Sequence, residues 1–171
     1  MSQPHQNRIH ASVNAFVSAS EGLIAALERL TDAAATHTTT GGGWSAAQIG
    51  YHVATANDFL VGILTGAIPR SIPAPAGFQE NPSVFSQLPS KVATYSALEP
   101  PTNATRAQSI AKLRQSTAQA VKAIEGLTAE RASGQVVEFP FGAISLYQLS
   151  EFIGGHVVRH KTQLERASAG V

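Results

Sequence analysis

The chain has 171 residues, 43% of them apolar, and its 12 basic and 11 acidic side chains leave a formal net charge of +1. That is the size of one domain, taken here as 1–171, with enough apolar material for a core. The scattered basic residues exclude the stripe expected of a nucleic-acid binder, and the absence of cysteine excludes disulfides, thiolate metal sites and a cysteine nucleophile.

The first segment, MSQPHQNRIHASVNAF, is polar and lacks the apolar core of a signal peptide. No apolar run approaches the roughly 20 residues of a membrane span. These features predict a soluble, cytoplasmic protein. A first helix is predicted over about 6–34, because Ile9, Val13, Phe16, Val17, Leu23, Ile24, Leu27 and Leu30 recur at helical spacing. The Thr-rich tail and Gly41 to Gly43 end it.

A second helix starts at Ser45, where Ser45 and Gln48 form a capping box. Its stripe is Ile49, Val53, Ala56, Phe59, Leu60, Ile63 and Leu64. The stretch 65–82 holds Gly66, Pro69, Pro73, Pro75, Gly77 and Pro82, too Pro-rich for a helix and too long for a tight turn, and reads as a crossover or lid. Residues 83–98 look helical, interrupted by Pro89. A third helix is predicted from about Asn103 to Glu125, capped by Thr102 or Asn103 and closed by Gly126. Residues 136–144 read as a short β-like hairpin or an extended loop. A fourth helix follows a second capping box, Ser145 and Gln148, and runs to about Ala167 with Leu146, Leu149, Ile153, Val157 and Leu164 inside. The fold class expected is all-α: a four-helix bundle with a long crossover between helices two and three.

His156 and His160 are spaced i, i+4, so both lie on one face of the last helix, on or beside its apolar stripe. His52 lies among Ile49, Val53 and Ala56 on the inner face of helix two. A lone inward histidine is more often a hydrogen-bonded core residue, and an HxxxH pair occurs often by chance. Three buried imidazoles together would be costly without a partner, and a metal ion removes that cost. Imidazole suits Zn, Ni and Fe. Three protein ligands leave a position open, as in catalytic rather than structural sites.

Asp58 and Glu151 are off the histidine faces by helical phase, so neither is taken as a fourth ligand. His5, His10 and His37 read as solvated. Trp44 reads first as a hydrophobic staple and second as a pocket wall. Gln163 shares the histidine face and could orient a ligand, although an exposed end-of-helix residue is the plainer reading. Nothing in the sequence places Tyr51 or Tyr147 in the site.

Trp44-Ser45-x-x-Gln48-x-x-x-His52, followed about a hundred residues later by Ser145-x-x-Gln148 and His156-x-x-x-His160-x-x-Gln163, resembles the DinB/YfiT-like superfamily across essentially the whole chain. The resemblance implies a bundle of up-down-down-up order with metal ligands His52, His156 and His160. It implies a divalent ion, Zn or Ni first and Fe or Mn next, and often a homodimer. Characterised relatives are largely transferases or isomerases that use a low-molecular-weight thiol, and others are described only as metal-dependent hydrolases. Gly154 and Gly155 stand where many relatives carry larger residues, which either widens the pocket or weakens the helix. The expected function is a metal-dependent thiol S-transferase acting on a small molecule. A metal-dependent hydrolase and a non-catalytic metal-stabilised bundle are the alternatives.

Overall fold

The computed structural model describes residues 2–38, 42–87 and 95–168. Helix α1 (Gln3–Glu28) has a proline in its first turn, where the missing N–H has no intrahelical partner to lose. It buries Ile9, Phe16, Leu23 and Leu27. The single helix expected over 6–34 is interrupted. The Thr31 side chain accepts a hydrogen bond from the Ala34 N–H at 3.1 Å and starts a separate short helix, α2 (Asp32–Thr36). A threonine that can satisfy an orphan N–H outweighs a periodic pattern that continues past it.

Helix α3 (Ala46–Thr65) begins at the Ser45–Gln48 capping box, both halves of which are formed. Gly66, at φ 86°, ends it in the left-handed conformation that glycine tolerates best. Beyond it the crossover is not a free lid. Strand β1 (Ser71–Pro73) pairs antiparallel with β2. The helix expected over 83–98 is reduced, among the described residues, to two 3₁₀ turns at Val84–Gln87 and Ser96–Leu98; Pro89, like Gly41 earlier, lies outside the described residues.

Helix α4 (Arg106–Glu125) starts later than expected. Its cap is Thr105, which forms a capping box with Gln108, rather than Thr102 or Asn103. Gly126 is the C-cap, in right-handed conformation. After the short α5 (Ala129–Gly134), β2 (Gln135–Phe139) and β3 (Gly142–Ser145) form the hairpin. With β1 they make a three-stranded antiparallel sheet in the order β1-β2-β3, which corrects the all-α expectation. The sequence signal was weak because β1 is only three residues long and gains its partner across a long chain separation. Helix α6 (Leu146–Ser168) then closes the structure.

The four long helices pack as a closed ring: α1 on α6, α6 on α3, α3 on α4, and α4 on α1. Within it Phe16, Leu23, Leu27, Ile49, Ile63, Leu113, Ile124 and Leu149 are fully buried. Two glycines let helices approach. A Cβ on Gly50 of α3 would lie 2.7 Å from Leu27 Cδ1, and one on Gly154 of α6 would touch the Phe16 backbone at 3.5 Å. Gly155 is different, since a Cβ there meets nothing within 4 Å among the described residues. Neither Gly154 nor Gly155 therefore widens a pocket at the histidines: one serves the contact with α1 and the other faces solvent. Urea denaturation should accordingly show Gly155→Ala gaining about 1 kcal/mol, the helix propensity difference. Gly50→Ala should lose roughly 1–3 kcal/mol by overpacking, offset in part by the same propensity gain, so its midpoint should fall below that of Gly155→Ala.

Candidate metal centre

Packing of α3 on α6 sets His52 opposite His156 and His160. One ring nitrogen of each lies within 4.8 Å of the others. The ring centroids are 5.5 Å apart for His52 and His156, 4.8 Å for His52 and His160, and 4.4 Å for His156 and His160. The residues singled out by spacing are thus brought together, and among the described residues no carboxylate belongs to the group.

Two of the rings have a defined outward partner. His52 Nδ1–H donates to the Leu98 carbonyl at 2.8 Å, and His160 Nδ1–H donates to Gln163 Oε1 at 2.8 Å. Each bond places the proton on Nδ1 and leaves the Nε2 lone pair for an acceptor of electrons. His156 Nδ1 is shut off from solvent and has no hydrogen-bond partner among the described residues. An orphaned buried nitrogen beside two lone pairs is the arrangement a divalent ion would satisfy, so the residues fit such an ion.

Burial is the first cause of the proton affinity at all three sites. It lowers His52, and it takes His156 well below the ordinary histidine value, with His160, His52 and Arg159 adding repulsion. His160 is lowered to about 4 by burial and by His52, against the opposing bond to Gln163. All three rings are therefore neutral at pH 7, the form that ligates metal.

Aromatic rings flank the group. Trp44 lies 4.7 Å from His52 between centroids, which makes it a wall of the site. On the other side Phe152, one turn before His156, is 6.1 Å from it and contacts Phe85 and Phe141 at 5.6 and 5.7 Å. Sequence reading missed this cluster. The Phe152–His156 spacing and the Phe139-Pro140-Phe141 turn were its only local signals.

The remaining polar residues divide clearly. Asp58 pairs with Lys112 at 2.9 Å and Glu151 with Arg8 at 2.7 Å, away from the histidines as helical phase implied. His10 and His37 are exposed as expected. His5 is not: it is 4% exposed and its Nδ1 lies 2.6 Å from the Tyr147 hydroxyl, because the start of α1 packs on α6. Gln163 is exposed and also orients His160, so both readings of it hold.

Three histidines converge from two helices of a bundle, with no further histidine or carboxylate in the group among the described residues, and could together hold a metal ion. The chain belongs to the DinB superfamily, whose sequence profile matches residues 15–164. The fold is shared with a solved protein described as "YfiT from Bacillus subtilis is a probable metal-dependent hydrolase with an unusual four-helix bundle topology": TM-score 0.62, 18% identity, covering 97% of this chain and 89% of that one. No curated protein sequence matches the chain.

The depressed proton affinities fix a sign. In the unfolded chain histidine binds a proton near 6.5, whereas His160 in the folded chain does so only near 4. Between those values the unfolded state holds more protons, so stability is full above about pH 6.5 and is lost as pH falls towards 4. Urea midpoints of the metal-free protein should fall across that window. The slope should flatten in His156→Gln and His160→Gln.

Proposed function

We propose that the chain, as one domain over 1–171, binds a single divalent ion through His52, His156 and His160 and works as a metal-dependent transferase of a low-molecular-weight thiol. The carrying observation is the donor set: three imidazoles held neutral by burial, with no carboxylate among them in the described residues. Zn or Ni suits that set best, with Fe or Mn next. A bound ion would supply Lewis-acid chemistry, lowering the pKa of a thiol or a water brought to the position the imidazoles leave free.

The chain's own residues do the rest. Leu98 and Gln163 hold two rings in the ligating tautomer, while Trp44 stands beside His52 and Phe152 beside His156. A thiol is acidic enough to need no general base there. Attack by water gains from one, and the acids within six residues of the histidines, Asp58, Glu151 and Glu165, are committed to Lys112, Arg8 and Lys161. That favours thiol over water. The second reading, a metal-dependent hydrolase, draws on the fold shared with YfiT. We further take the long helices in up-down-down-up order, consistent with the close pairing of α1 with α6 and α3 with α4, and the protein as a cytoplasmic homodimer acting on a small molecule.

Elemental analysis of untagged protein should find about one metal ion per chain, largely lost in His52→Ala, His156→Ala and His160→Ala. With metal restored, thiol consumption in the presence of a generic electrophile should depend on the ion. Turnover without added thiol would favour the hydrolase. A large melting shift on metal removal with no turnover on either substrate class would leave a metal-stabilised, non-catalytic bundle.

A further inference from the structure

The helices α3, α4 and α6 all begin with a capping box whose third residue is glutamine: Gln48, Gln108 and Gln148. In each box the side-chain oxygen accepts from the backbone N–H of the capping residue, at 3.0 Å for Gln48, 3.0 Å for Gln108 and 3.4 Å for Gln148. Glutamate would do this equally well, and its charge would also suit a helix N-terminus. Glutamine adds one thing, an amide N–H₂ that the box leaves unused.

Gln108 is exposed, so water can take its amide. Gln48 and Gln148 are buried, and each amide finds a carbonyl on the connection between α3 and α4. Gln148 Nε2 donates to Asn81 O at 2.9 Å, and Gln48 Nε2 donates to Pro101 O at 3.4 Å. Both attachments recur one helical turn further on. Four residues after Gln48, His52 donates to Leu98, three residues before Pro101. Four residues after Gln148, Phe152 stacks on Phe85, four residues after Asn81. Each ligand-bearing helix thus holds the connection at two points a turn apart, the second point being a ligand or the ring beside one.

At the α3 end the coupling is stiff. Glu99 is extended, at φ −67° and ψ 135°, as a residue before proline must be, and Pro100 is buried. Pro101 O also accepts from the Ala104 N–H at 3.2 Å, which ties it to the entry of α4. Moving Pro101 therefore moves Leu98.

We propose that Gln48 and Gln148 are positioning residues for the histidine centre, their spare amides pinning the α3–α4 connection so that the Leu98 carbonyl fixes the His52 tautomer and Phe85 backs Phe152. The consequence for metal affinity rests on the metal reading above; the positioning itself does not. The test uses the full-length, metal-free protein with Gln48→Glu, Gln148→Glu and, as control, Gln108→Glu. Each keeps its capping box, and the first two lose the clamp.

Long-range ¹H–¹⁵N spectra of wild type should show His52 protonated on Nδ1. Gln48→Glu should give a mixture of tautomers and at least tenfold faster amide exchange at Leu98 and Glu99. Gln148→Glu should speed exchange at Val84 instead, and Gln108→Glu should match wild type. Metal titration should then show a roughly ten- to hundredfold weaker Kd for Gln48→Glu, as for lost partners of a metal-bound histidine. If the buried carboxylate of Gln48→Glu prevents folding, the uncharged Gln48→Met keeps the length without the amide and should give the same tautomer and exchange changes. An unchanged His52 tautomer with wild-type exchange at Leu98 and Glu99, in whichever of the two folds, would overturn the proposal. Absence of metal binding in wild type with the predicted spectral changes intact would overturn the metal reading alone.

Discussion

The arrangement depends on one constraint: three imidazoles that burial keeps neutral must have their ring nitrogens oriented by the packing around them. A buried ring has two nitrogens to satisfy, and on His52 and His160 the outer nitrogen is committed to Leu98 O and Gln163 Oε1. Those bonds decide where the inner lone pairs point. Everything that positions Leu98, from the prolines after it to the Gln48 side chain, therefore bears on the centre even though none of it reaches the shared space. His156 Nδ1 has no such partner among the described residues, so packing alone orients its ring.

Helix packing supplies the second condition. His156 and His160 meet by spacing alone, but His52 joins them only because α6 lies against α3. Gly154 lets α6 settle on the backbone of α1 at Phe16, and Gly50 lets α3 receive Leu27. Those contacts fix the ring of helices, which in turn fixes the distance between histidines.

The small sheet and the polar network near the chain start serve the same end by different means. The hairpin β2–β3 carries Phe139 and Phe141 beside Phe152, and β1 anchors the crossover to that hairpin. Glu80, just beyond β1, reaches both Arg8 of α1 and the Ser145 hydroxyl at the start of α6. Single ion pairs this exposed contribute little stability. Here they select where a long connection lies, and so which side of the bundle its rings cover.

Much of this was legible in the residue order. Helical periodicity located the inner faces of α3 and α6, since Ile49, Val53, Leu146, Leu149, Ile153, Val157 and Leu164 are all buried. The capping boxes at Ser45 and Ser145 marked two helix starts within a residue, because a cap is a local interaction between positions three apart. The i, i+4 pair placed two imidazoles side by side for the same reason. The break at Thr31, the cap at Thr105 and strand β1 escaped, each resting on a choice between competing local bonds or on a distant partner. His5 read as solvated because its partner, Tyr147, is 142 residues away. Local bonds and helical phase are properties of the chain, and they determined which side chains face inward. Which inward faces meet, which carbonyl receives His52 and which rings stand beside the centre were decided only by packing, because those contacts join residues that no local pattern relates.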